Sequence, residues 1–236
     1  MLFITVASAR HSRADEPLVW GFADFPPYIE AKANGQPYGS LAEMVQNIFQ
    51  HADIDYLPLH TPNKRIRKLI SEGFVGFSIG PLTAIDNPDD FYMSKAAVAK
   101  IETRSYRIGE QNPVMQATDF YGQSVVLITS YQYSGLRDYL ENPNNKVSIA
   151  ANVEDHKRAL TALLLKRATY MLGYSKPTEL IQLQMNVENL HSFPLNEIKM
   201  YFYIHKSIKN SRQVMDRLDK SHAELYPNHV RDINKE

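Results

Sequence analysis

Asp24, Phe25 and Tyr28 fall within one short stretch, Trp20-Gly21-Phe22-Ala23-Asp24-Phe25-Pro26-Pro27-Tyr28-Ile29-Glu30, where an acid and two aromatic rings flank a Pro-Pro pair. A carboxylate there either holds a polar solute or ties down the turn, as Asp side chains do. Aromatic rings either stack on a ligand or pack as core. Arg65 offers a planar fork that matches a carboxylate; the alternative is a solvated helix face shared with Lys64, Arg67 and Lys68. Ser130, Tyr131, Gln132 and Tyr133 bring hydroxyls and amides to the start of a helix, where they bind an anion or simply cap the backbone. Ser78 stands on the small-residue side of a strand. Groups of these types suit the binding of a small solute; none forms a recognised catalytic set. The eight histidines include no H-x-x-x-H spacing, so the usual helical zinc signature is missing. No G-x-S-x-G occurs, and the ten glycines form no phosphate-cradling loop. The absence of cysteine excludes disulfides, thiol nucleophiles, thiolate metal sites and a lipidated cysteine. Neither metal nor cofactor is expected.

Positioning those side chains requires an alternating α/β scaffold. Val19, Trp20 and Phe22 read as a buried strand that Pro26-Pro27 must end, because proline has no N–H to donate to a sheet. Asp24, Phe25 and Tyr28 are thereby delivered to the strand's carboxyl end, the edge where open α/β sheets bind ligands. Ser40 and Glu43 have capping-box spacing, and Leu41, Met44, Val45, Ile48 and Phe49 then form one apolar helical stripe. A strand at 54–59, a helix at 63–72 closed by Gly73, and a strand at 75–79 continue the alternation. A second series follows: strands near 125–128, 147–149 and 168–172, helices at 135–140, after a cap at Asn152, and after a cap at Ser175. A strand at 200–204 and a helix at 211–225 end it. Such alternation predicts mainly parallel sheets with helices on their faces.

Composition sets bounds on partners. The chain has 236 residues, 44% hydrophobic and 22% charged, enough for one large domain or two lobes. Lys+Arg and Asp+Glu are equal at 26 each, so no overall field draws nucleic acid or an anionic membrane. Met1 to Ala9 is apolar and ends Ala-Ser-Ala, which reads either as a shortened secretory signal over residues 1–14 or as a buried first strand.

The order strand, D-x-P-P-Y, turn, glycine, amphipathic helix resembles the bacterial extracellular solute-binding proteins of family 3. Further matching landmarks are Pro62-Asn63-Lys64-Arg65, Phe91-Tyr92-Met93-Ser94 and Thr118-Asp119-Phe120-Tyr121-Gly122-Gln123-Ser124-Val125. The resemblance implies a two-lobed type II periplasmic-binding-protein fold, each lobe a mainly parallel sheet flanked by helices, joined by two hinge crossings. Residues 15–100 plus 196–236 would form lobe 1 and 101–195 lobe 2. It further implies a periplasmic monomer that captures a small polar or anionic, amino-acid-like solute and hands it to an ABC transporter permease. The implied site comprises Asp24, Phe25, Tyr28, Arg65, Ser78, Ser130, Tyr131, Gln132, Tyr133 and Tyr174. The family's carboxylate-clamping arginine has no counterpart in Thr83-Ala84-Ile85-Asp86-Asn87. Its ammonium-holding aspartate is missing from Arg167-Ala168-Thr169-Tyr170-Met171-Leu172-Gly173-Tyr174, and Gly76 replaces a further acid. Two alternatives stay open: an enzyme similar to the periplasmic cyclohexadienyl dehydratases, and a drifted member without a ligand.

Overall fold

A computed structural model of the chain describes residues 17–110, 112–129 and 131–227, together with the backbone of 231–232. The expected signal segment and Ser130 lie outside the described residues. Strand β1 (Leu18–Phe22) is followed by a small ribbon, β2 (Glu30–Ala31) and β3 (Pro37–Tyr38), and by helix α1 (Ser40–His51). Next come β4 (Tyr56–His60), α2 (Asn63–Ser71), β5 (Phe77–Gly80), β6 (Phe91–Met93) and β7 (Ala99–Ile108). The chain then forms β8 (Ser124–Ile128), α3 (Leu136–Glu141), β9 (Ser148–Val153), α4 (His156–Leu164), β10 (Tyr170–Tyr174) and α5 (Ser175–Gln184). The long strand β11 (Leu190–His205), helix α6 (Ser211–Leu225) and β12 (Arg231–Asp232) complete it.

The main sheet runs in the order β4-β1-β5-β11-β7-β10-β8-β9. Within it β1 is parallel to β4 and β5, and β8 is parallel to β9 and β10. The crossing strands are antiparallel. From Leu190 to Met200, β11 pairs with β7; from Tyr201 to Ile204 it pairs with β5, and Tyr203 to His205 pairs with β6. One strand thus belongs to two half-sheets.

Each half-sheet has its own packing. Trp20 is wholly buried, with its ring centroid 5.8 Å from Phe49 of α1 and 6.1 Å from Phe77 of β5. An indole of that size contributes roughly 4–6 kcal/mol by burial. The α1 stripe of Leu41, Met44, Val45, Ile48 and Phe49 is buried as its spacing predicts. In the second half, Val126, Ile128 and Met171 pack against Ala159, Leu160 and Leu163 of α4.

Four sequence expectations need correction, the simplest being that α5 is capped at Tyr174, with Ser175 its first helical residue. The α1 cap is Gly39, with no side-chain cap bond, because the carbonyl of Tyr28 already accepts the N–H groups of Leu41 (3.0 Å) and Ala42 (3.2 Å). Helix α4 is capped by Asp155, whose carboxylate accepts the Arg158 N–H at 2.7 Å; Asn152 instead belongs to β9. The last strand starts at Leu190 rather than 200. Pro194, which has no N–H for the ladder, sits beside the bulge between Pro194 and Asn196, where the ladder is already interrupted.

Candidate functional site

A cavity of about 380 Å³ lies where the two half-sheets meet. Phe22, Ala23 and Phe25 form part of its wall at the end of β1, and Ser78 and Gly80 contribute from β5. The base comes from the crossing strands, through Ile101 of β7 and Ile198 and Met200 of β11. The opposite wall is Tyr131, Gln132, Tyr133 and Ser134 after β8, with Tyr174 ending β10. Every contributing parallel strand presents its carboxyl end, as expected for a ligand crevice in an α/β sheet.

The turn after β8 is held in an uncommon conformation. Tyr133, Ser134 and Gly135 all have positive φ, at 49°, 58° and 89°. For tyrosine and serine this left-handed region is unfavourable, so surrounding bonds must impose it. The Tyr133 hydroxyl accepts the Ile128 N–H at 2.8 Å. Arg137, buried at the start of α3, donates to the carbonyls of Ile128 (2.6 Å) and Tyr131 (2.7 Å), to Glu141 (2.6 Å) and to Asn152 (2.9 Å). A single guanidinium thereby fixes both ends of the turn. Sequence reasoning missed Arg137, because a charged residue in the first turn of a helix carries no sign that it points inward.

Aromatic rings join the walls. Phe25 meets Tyr174 edge-on at 5.4 Å and Tyr131 at 5.9 Å, while Tyr131 and Tyr174 stack at 4.7 Å. Burial pushes the phenols of Tyr131, Tyr133 and Tyr174 above their ordinary range, so all three are protonated hydroxyls near neutrality. Behind them His156 is buried, and its Nε2 accepts the Tyr174 N–H at 3.4 Å. Desolvation lowers its pKa to about 4, against a small opposing effect of Asp155. Across the cavity Tyr203 is buried beside Ser78, its register partner. Burial raises its phenol, while the Ser78 hydroxyl and the Arg67 guanidinium act in the other direction.

Phe25, Ser78, Tyr131, Gln132, Tyr133 and Tyr174 all line the cavity. Asp24, Tyr28 and Arg65 do not. Asp24 accepts the Ala31 N–H at 3.0 Å and stands 3.1 Å from His60 Nε2, closing its own turn. Tyr28 is fully buried against Phe25, 5.0 Å between centroids. Arg65 projects from the far flank of α2, whereas Asn63, Lys64 and Arg67 line the cavity. Buried Ile66 and Ile70 set the phase of that helix, and its two flanks are equally basic in the sequence. Among the described residues, no three His, Asp or Glu side chains are grouped to hold a metal ion, and no helix is long and apolar enough to cross a membrane.

No protein-family model matches the chain. No curated protein matches it by sequence. Solved structures do match in fold. A histidine kinase sensor domain with similarity to periplasmic binding proteins aligns with a TM-score of 0.68 at 15% identity, covering 91% of this chain and 92% of that one. The GluR0 ligand-binding core in complex with L-glutamate aligns at 0.67 and 11% identity, covering 89% and 91%. A structure solved for glutathione import via GshT and the cystine ABC importer TcyBC of Streptococcus mutans aligns at 0.69 and 14% identity, covering 91% and 90%. At such identities the likeness establishes architecture: this chain has the two-lobed α/β fold of periplasmic-binding-protein-like domains.

Proposed function

We propose that the protein is a solute-binding protein that captures a small polar or anionic molecule between its lobes and presents the closed form to an ABC transporter. The observation that carries this is the cavity at the junction, walled from both half-sheets and based on the strands they share. In this proposal residues 15–100 plus 196–236 act as one lobe and 101–195 as the other, with β7 and β11 as hinges. Closure around a solute draws its energy from differential contacts made only when both walls engage. The similar structures supporting this include an ABC importer study and the substrate-binding protein of an amino acid ABC transporter. A periplasmic location follows from the role. The described lining contains neither a carboxylate nor an imidazole, the groups a dehydratase-like acid–base step would use, which favours capture over turnover.

The test is a thermal-shift and calorimetric screen of the purified protein against amino acids, short peptides, organic acids and polyamines. A cognate solute at a hundred times its Kd stabilises the fold by about 2.7 kcal/mol and raises Tm accordingly. Protein with native circular dichroism that responds to none of them would remove the proposal.

A further inference from the structure

We infer, resting on the solute-capturing role just proposed, that the solute is a compact apolar or aromatic carboxylate lacking an ammonium group. Charge is the first reason. Lys64 and Arg67 line the cavity, neither forms an ion pair among the described residues, and no acid stands on the described lining. Both cations are exposed, so they retain freedom to engage an anion. Arg67 sits one helical turn beyond Asn63, close enough to the buried Tyr203 phenol to influence its ionisation, and Ser78 adjoins the same phenol. A carboxylate at that corner meets a guanidinium fork, a charge-assisted arrangement. An ammonium group enclosed in the same cavity would find two cations and no counter-charge, and a desolvated unpaired charge is heavily disfavoured.

The remaining surface supplies the second reason. Ile70, Ile79, Ile101, Ile198 and Met200 bring aliphatic walls, and Phe25 with Tyr131 and Tyr174 closes one side with rings. About 380 Å³ accommodates roughly 10–20 non-hydrogen atoms at organic packing density. A solute with an apolar body and one anionic end matches this division; a zwitterion leaves its cationic end unmatched.

A charge-matched series separates the possibilities: 3-phenylpropanoate, hexanoate, L-phenylalanine and 2-phenylethylamine, titrated calorimetrically at constant pH and ionic strength. At least one of the two carboxylates should bind ten times or more tighter than L-phenylalanine, and the amine should give no binding. Arg67→Gln should weaken carboxylate binding at least tenfold, whereas Lys68→Gln, absent from the lining and paired with Glu72, should leave it unchanged. Matching melting curves exclude unfolding of either variant. Equal or tighter binding of L-phenylalanine or the amine overturns the inference and leaves solute capture standing, as does failure of both carboxylates in a protein that responds to another solute of the wider screen. Carboxylate binding unaffected by Arg67→Gln also overturns it. Silence toward every solute removes both the inference and the function on which it rests.

Discussion

His156 carries a titratable ring into an apolar wall, between Tyr131 (5.6 Å) and Tyr174 (6.4 Å), and stays neutral there. Its folded-state pKa of about 4 lies below the ordinary 6.5, so the unfolded chain takes up a proton first as pH falls. The stability linked to this group is complete above pH 6.5 and is lost between 6.5 and about 4, an amount of order 3 kcal/mol. Urea unfolding of His156→Gln, which keeps an acceptor for the Tyr174 N–H but cannot titrate, should show a flatter pH profile across that interval. An identical slope in both proteins would refute the linkage. At this scale the sequence was only partly legible. Tyr131, Gln132, Tyr133 and Phe25 were recognisable as cavity-lining because each follows a strand end, where side chains have no sheet to pack into. Arg67 and Arg137 were not, because facing inward depends on the rotation of a helix against its neighbours, which local spacing leaves open.

Among the elements, α1 shows how a loop can replace a side-chain cap. Gly39 has φ +106°, and a Cβ there would lie 2.6 Å from the Pro27 carbonyl oxygen and 2.7 Å from that of Tyr28. The segment that carries Phe25 to the cavity is therefore seated directly on the helix start. Gly39→Ala should destabilise by more than about 2 kcal/mol, combining backbone strain with collision. Gly35→Ala, at φ +79° with nothing within 4 Å of the added carbon, should cost only about 1 kcal/mol. Urea midpoints at unchanged m-value make the comparison, and equal losses would contradict it. Most elements could be read from periodicity: the α1 stripe and the strand bounded by Pro26-Pro27 are unambiguous patterns. The extent of β11 could not, since its first half is partly exposed, contains Pro194 and is strand only because β7 lies beside it.

For the whole molecule, one contact between the halves is aromatic, Phe25 against Tyr131 and Tyr174. If the crossing strands act as hinges, Phe25→Ala should leave secondary structure intact and increase the radius of gyration in solution scattering above the roughly 18 Å expected of a compact chain of this length. An unchanged radius would argue that the halves are held together elsewhere. The alternating α/β plan was visible in the order of strands and helices, but which strand closes which half-sheet depends on pairings far apart in sequence. Those pairings have a further consequence during synthesis. Strand β5 is matched by Tyr201 to Ile204, which leave the ribosome more than a hundred residues after it. Until they emerge, β5 presents a bare flank of backbone donors and acceptors, so nascent or prematurely terminated chains carry a sticky edge that the finished protein hides.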